Sequence, residues 1–368
     1  MKRLQKVFVL LSMLSVFAAL MLTGCTGAQA QPAQTAQASQ EVNQEANVEA
    51  NQPADTADTA ETVTNEPLRV ALMLTGPAND QGFNAQAATG LRMAEEEFGI
   101  ETTIMENVGV ADMEALYTEF AVQGYDLIIG HGFLFGIPAA TVSERFPNQF
   151  FVATNAASES ANMASFSLGN QEAAYLMGIL SASMTESGTI GVVAGIEQPS
   201  IIREVEAFKM GAATVDPSVN VLEIYIGSFT DVALGMEAAL AMIDNGADIL
   251  YHAANQAGTG VITAAQERGI LAGGNSFDQN SIAPDTVMLS TVYHIPKIVM
   301  YAVEAVQNNT FEGGIFYLGM AEGIVDLSPF HSFEDIVPQE VQQLIAETMQ
   351  QIIDGDLVIP AIETPTNR

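Results

Sequence analysis

After residue 66, apolar residues in this chain gather in short runs that return at even intervals. β-Type runs occupy residues 68–74, 102–106, 126–130, 150–155, 189–194, 221–226 and 249–252, each the length of a buried strand. Segments with helical spacing lie between them. Over residues 231–245, Leu234, Ala238, Met242 and Ile243 fall on one predicted helical face, and Gly246 supplies a stop; Gly269 does the same after a helix predicted over 261–268. Strands alternating with helices of this length predict an α/β fold with parallel sheet built from right-handed crossovers. The units are too many for one small sheet. Two doubly wound lobes are therefore expected, joined by strands near 165–170 and 289–293, with a cleft at the carboxyl ends of their strands. The loops there are polar and Gly-rich: Thr75-Gly76-Pro77-Ala78 into Asn79-Asp80, Gly130-His131-Gly132, Asn155-Ala156, Gly195-Ile196-Glu197 and Ala254-Asn255-Gln256. Each alone is ordinary turn chemistry, and only their shared position marks them as a candidate site.

The N-terminus breaks this rhythm. Lys2, Arg3 and Lys6 precede an uncharged run over 7–22, too short and too early for an ordinary spanning helix, which predicts a signal peptide over 1–24. Leu22-Thr23-Gly24-Cys25 follows and resembles the bacterial lipoprotein lipobox, making Cys25 the expected lipidation site and the outer face of a cell membrane the expected location. As the only cysteine it excludes an intrachain disulfide. Residues 26–66 are rich in Ala, Gln, Asn, Thr and acids, hold no basic residue, and predict an unstructured acidic linker of r.m.s. span roughly 35 Å. The binding domain is then expected over 67–368, with a first lobe at about 67–170 plus the C-terminal segments and a second at about 171–290.

Charge narrows the function. The chain has 44 acidic and 11 basic residues, a formal net charge of −33, which becomes −36 if cleavage removes Lys2, Arg3 and Lys6. The basic residues left are Arg69, Arg92, Arg145, Arg203, Lys209, Arg268, Lys297 and Arg368, too few and too scattered for a phosphate-neutralising stripe, so no nucleic-acid partner is expected. The acidity reads as a solvated, self-repelling surface. His131, His252, His294 and His331 lack metal-ligand spacing, and neither metal nor cofactor is expected. There is no Gly-x-Ser-x-Gly elbow and no phosphate loop. Gly130-His131-Gly132-Phe133-Leu134-Phe135-Gly136 follows a strand but sets its third glycine one residue late for a dinucleotide fingerprint, and Glu95-Glu96-Glu97 reads as a solvated helix face. Nothing demands catalysis, and an enzyme using the cleft is the disfavoured reading.

Three stretches carry a family resemblance over about 67–330. They are Asn79-Asp80-Gln81-Gly82-Phe83-Asn84; Gln171-Glu172-Ala173-Ala174-Tyr175-Leu176-Met177-Gly178 with Gly195-Ile196-Glu197-Gln198-Pro199; and Gly227-Ser228-Phe229-Thr230-Asp231 with Ala254-Asn255-Gln256-Ala257-Gly258-Thr259-Gly260 and Asp278-Gln279. As an ordered set they resemble the basic membrane protein family of ABC-importer substrate-binding lipoproteins, which includes the purine nucleoside receptors. The resemblance implies a type I periplasmic-binding fold with a three-strand hinge, a small-molecule ligand enclosed on closure, and an ABC permease as partner of a monomer. It places Asn79 and Asp80 at the base, Asp80 being the strongest expected contact, with Phe83 and Phe133 as apolar walls and Asn84 as a brace. Phe83 reads equally as core.

By the same resemblance Asn155, Gln198, Phe229, Asn255, Gln256, Ser276, Asp278 and His294 are ligand-binding candidates. The sugar side departs from the receptor pattern. Asp-x-Asp-Gln is here Ser276-Phe277-Asp278-Gln279, and Ser290-Thr291-Val292-Tyr293-His294 replaces a stretch that carries a lysine. Arg203 would either meet an anionic group on the ligand or pair with Glu197, Glu204 or Glu206. The expectation is a nucleoside or nucleobase-like ligand presented to a permease; the alternatives are a sensor lipoprotein that signals to a membrane receptor, or import of a non-nucleoside ligand.

Overall fold

The computed structural model describes residues 66–80 and 82–366. The signal segment, Cys25 and the acidic linker lie outside the described residues.

Because each apolar run is flanked by turn-forming residues and followed by a helical pattern, the chain winds strand, helix, strand. The first half runs β1 (Arg69–Leu74), α1 (Phe83–Phe98), β2 (Glu101–Met105), α2 (Met113–Val122), β3 (Leu127–His131), α3 (Gly136–Ser143), β4 (Phe150–Thr154) and β5 (Met163–Leu168). The second runs α4 (Asn170–Met184), β6 (Thr189–Ala194), α5 (Pro199–Val215), β7 (Asn220–Tyr225), α6 (Val232–Asp244), β8 (Ile249–Ala253), α7 (Gly258–Arg268), β9 (Leu271–Gly274) and β10 (Val287–Tyr293). After it come α8 (Ile295–Gln307), β11 (Gly314–Leu318), β12 (Val325–Leu327) and α9 (Gln339–Ile353).

Two six-stranded sheets result, in the orders β11-β5-β4-β3-β1-β2 and β12-β10-β9-β8-β6-β7. Every pairing is parallel except β10 with β12. In both sheets the order reverses beside the first strand of the lobe, and a crevice opens beyond the carboxyl ends at such a point. The chain crosses between lobes three times: from β5 to α4, from β10 to α8, and from β11 to β12. The C-terminal segments, expected with the first lobe, divide. β11 extends the first sheet and α8 packs on α1, whereas β12 pairs with β10 and α9 packs on α4.

The sheets are covered on both faces, as sheets built from parallel crossovers are. Met113, Tyr117, Phe135 and Phe151 fill one face of the first sheet; Val193, Met242, Leu250 and Val261 fill the corresponding face of the second. A larger core through Leu72, Leu91, Leu176, Phe208 and Val303 fills the other faces. Helices α4 and α5 pack backbone to backbone, since a β-carbon on Gly178 would run into the Phe208 carbonyl and one on Gly211 into that of Tyr175. The buried face of α6 is rotated from the predicted one. Gly235, Ala238, Ala239 and Met242 turn inward and Leu234 is exposed, because Gly235 lets the helix ride on the backbone of Ala257. Among the described residues no helix is long and apolar enough to cross a membrane.

Candidate ligand-binding site

A cavity of about 280 Å³ lies between the lobes, at the small end of the roughly 300–1,000 Å³ typical of small-molecule sites. Its lining comes from loops after β1, β3 and β4 on one side and after β6, β7, β8 and β9 on the other, together with the starts of α1, α4 and α5. Three of these loops contain a non-glycine residue at positive φ: Asn155 at 53°, Asn255 at 48° and Ser276 at 72°. Left-handed backbone is costly for a residue with a β-carbon and concentrates where surrounding structure imposes it, as at binding sites.

The first-lobe wall is mostly backbone and aromatic ring. Phe83 opens α1 and stacks on His131, with ring centroids 3.8 Å apart, so one face of the Phe83 ring is already covered. His131 Nε2 lies 3.0 Å from the Phe83 carbonyl and Nδ1 2.8 Å from Thr154 Oγ1; burial pulls its pKa down to about 4 and keeps the ring neutral at pH 7. Phe133, Asn84 and Asn155 also line this wall. Asn155 Oδ1 accepts from the Leu168 amide and so braces the first inter-lobe crossing.

Asp80 is not part of the lining. It is 2 % exposed, and its two oxygens take five donors: Gly82 N and Ala85 N at 2.9 Å on Oδ1, then Asn84 N at 3.1 Å, Asn84 Nδ2 at 2.8 Å and Asn255 Nδ2 at 2.8 Å on Oδ2. It caps the start of α1, where free amides need an acceptor, and reaches across the cleft. The Phe83 amide completes the tie by donating to Asn255 Oδ1 at 2.9 Å, and Gln86 Nε2 donates to the Ser276 carbonyl at 2.7 Å. Gly82 permits this approach: a β-carbon there would strike Asn255 Oδ1.

The second-lobe wall centres on Glu204, a carboxylate 2 % exposed in the middle of the apolar stripe of α5. Tyr251 and Tyr293 donate to its Oε1 at 2.5 and 2.8 Å, Asn275 Nδ2 donates to the same oxygen, and Asn170 Nδ2 donates to Oε2 at 2.8 Å. Burial pushes the Glu204 carboxyl up, against the pull of these donors. Burial and the Glu204 charge hold both phenols protonated, hence as donors.

Of the residues expected from sequence, Phe83, Asn84, Phe133, Asn155, Gln198, Phe229, Asn255 and Ser276 line the cavity. Six others lie elsewhere. Besides Asp80, Asn79 is exposed on the loop and Gln256 is half-buried, its carbonyl accepting from Thr259 Oγ1. Asp278 faces His331, with Nε2 to Oδ2 at 2.6 Å, and His294 lies 3.7 Å from Asp326. Tyr293, the last residue of β10, lines the cavity, whereas His294 lies past the end of the strand at the cap of α8 and is not part of the lining. Arg203 does not line the cavity; of the acids expected as partners, Glu204 lies near enough for its charge to favour the guanidinium. Arg203 donates to Ser167 Oγ at 3.1 Å and meets Glu363 at 3.7 Å, tying α5 to the first-lobe edge and the C-terminal segment. Glu204, Asn170, Asn275 and Tyr293 were not anticipated as lining residues. An acid in register with Ser200, Phe208 and Gly211 on one helix face was the available signal for Glu204.

Residues 68–363 match the model for PnrA-like ABC transporter substrate-binding proteins. The chain belongs to that family. Members are binding proteins of ABC transporters. Among relatives, a purine-binding protein of Brucella abortus is 30 % identical over 79 % of this chain and 83 % of its own. A putative ABC transporter glucose-binding protein of Haloferax volcanii is 26 % identical over 94 % of this chain and 88 % of its own. The crystal structure of an ABC transporter solute-binding protein from Aeropyrum pernix superposes with a TM-score of 0.75 at 27 % identity, covering 80 % of this chain and 94 % of that one. The fold is thus that of the two-lobed solute-binding proteins.

Proposed function

We propose that this protein is the lipid-anchored, extracytoplasmic receptor of an ABC importer, tethered through Cys25, which captures a nucleoside or nucleobase-like compound as a monomer and catalyses nothing. The observation that carries the reading is a small-molecule-sized cavity between the lobes, lined by the aromatic rings of Phe83, Phe133 and Phe229 and by hydrogen-bonding side chains from both walls. A planar base stacks on the free face of an aromatic ring, while polar edges and hydroxyls take directional bonds. Ligand held by both walls stabilises the closed arrangement in proportion to its differential affinity for it. The Asp80–Asn255–Phe83 bonds add a fixed contribution to closure, and the permease reads the closed lobes. The purine-binding relative supports the ligand class.

Mass spectrometry of ligand released from purified protein, with a melting panel of nucleosides, bases and sugars, tests this. At a hundred times Kd a true ligand adds about 2.7 kcal/mol, or roughly 5 °C in Tm. A panel in which no nucleoside or base moves Tm refutes the ligand class and leaves the fold untouched.

A further inference from the structure

Deepening the proposed function, and resting on it for the location of the site, we infer that Glu204 is a specificity-determining residue that takes hydroxyl groups of a sugar ring, so that the ligand class is an unphosphorylated sugar-bearing molecule. Three observations about the lining converge on hydroxyl recognition. Glu204 is the only acid in the described lining, and no lysine, arginine or histidine is present there. Its Oε1 is saturated by Tyr251, Tyr293 and Asn275, whereas Oε2 accepts only from Asn170 and keeps acceptor capacity. Two buried amide oxygens of lining residues, Asn84 Oδ1 and Asn170 Oδ1, have no partner among the described residues.

The orientation of those amides follows from their other bonds. Asn84 Nδ2 donates to Asp80, and Asn170 Nδ2 donates to both Ser200 O and Glu204 Oε2, so each oxygen is the atom left over. The unsatisfied groups are thus acceptors, contributed by α1 and α4, beside the spare acceptor capacity of Glu204 on α5. Buried acceptors without partners are costly, and a ligand presenting several O–H donors relieves that cost. A phosphate would bring more acceptors and more negative charge to a carboxylate. The start of α4, which would otherwise favour an anion, already meets the Glu204 carboxylate through Asn170, whose amide also donates to the Ser200 carbonyl at the start of α5. Nucleosides and free sugars share the hydroxyl chemistry, and the experiment separates them.

Titration calorimetry on the full chain in detergent, freed of co-purified ligand, would compare adenosine, its 2′- and 3′-deoxy analogues, adenine, adenosine 5′-monophosphate, ribose, glucose and choline, on wild type and Glu204→Gln. The assignment expects loss of a ring hydroxyl to cost about tenfold in wild type and under about threefold in the variant, with the monophosphate at least about a hundredfold weaker. It is overturned if Glu204→Gln keeps the tightest hydroxylated ligand within about threefold, if the monophosphate matches adenosine, or if choline binds best. Should Glu204→Gln fail to fold, the deoxy series on wild type decides, and equal affinity with and without the hydroxyl overturns it. Free sugars binding through Glu204 while nucleosides do not would remove the nucleoside reading and keep this one. Adenine matching adenosine, with neither affected by Glu204→Gln, would do the reverse. A panel with no binder overturns both.

Discussion

In the first lobe the cavity wall is made mostly by residues within a few positions of a strand end, Thr75 and Gly76 after β1, Gly132 to Leu134 after β3 and Asn155 after β4, with Phe83 and Asn84 from the start of α1. In the second lobe such loops contribute too, but the chemically distinctive group, Glu204, sits on a helix and is held by side chains from α4, β8, the loop after β9 and β10. Two sheets of the same winding therefore make walls of different kinds. One is local, largely apolar and adjustable residue by residue. The other is a buried network whose members depend on one another, where removing one partner leaves the rest with unmet polar groups.

The sharpest test of that contrast is Asn275→Ala, which removes a donor to Glu204 and its links to Tyr251 and Tyr293. It should cost about 2–4 kcal/mol in urea unfolding at pH 7.5, since the buried carboxylate loses a donor. A cost below about 1 kcal/mol would mean that the wall does not depend on this network.

A second test asks whether the lobes answer acid alike. Each buries a histidine near the end of its third parallel strand, His131 on β3 and His252 on β8, and burial lowers both to about 4. The unfolded chain therefore binds more protons than the folded one between about pH 6.5 and 4. Stability is fully present above that window and lost as pH falls through it, by about 2 kcal/mol per histidine between pH 7 and 5. Glu204, shifted upward, works the other way and partly offsets the loss. Urea melts of wild type and His252→Asn at both pH values should differ in their pH dependence by about 2 kcal/mol. Identical pH dependences would remove His252 from the account.

Gly82→Ala probes the junction of the two walls. Its β-carbon would displace the Asn255 side chain, itself part of the lining, and break its bonds to Asp80 and the Phe83 amide. Ligand affinity should fall by about ten- to thirtyfold, most of it through faster release. Unchanged release in stopped-flow would show that closure does not use this tie. The smallest effect is expected from Phe133→Ala on the adjustable wall: about tenfold in affinity, with stability within about 1 kcal/mol of wild type by urea melts. A larger loss of stability would erase the distinction between the walls.

The strands were legible nearly residue by residue. The run predicted at 189–194 is β6, and the others shift by a residue or two at an end. Sequence also placed the binding loops, because loops follow strands and strand direction follows from right-handed crossovers. It misjudged Asp80, whose position beside a helix start looked like exposure to ligand and is instead a cap with five donors. It missed β11 and β12 as members of different sheets, since short edge strands carry little pattern of their own. Tyr293 and His294 differ by one position, but β10 ends at Tyr293 and His294 caps α8, a boundary that only the folded chain fixes.

Periodicity, glycine and proline placement, and the spacing of polar loops thus settle the winding, the presence of two lobes and the edge at which a ligand is held, because those features act over a few residues and repeat. Which side chains meet in the cavity is a matter of distant segments. Glu204 becomes a site residue only when α5 lies against α4 and the ends of β8 and β10, through glycines at 178 and 211 that admit backbone contact. That packing, and the burial it imposes on a carboxylate, exists only once the chain has folded.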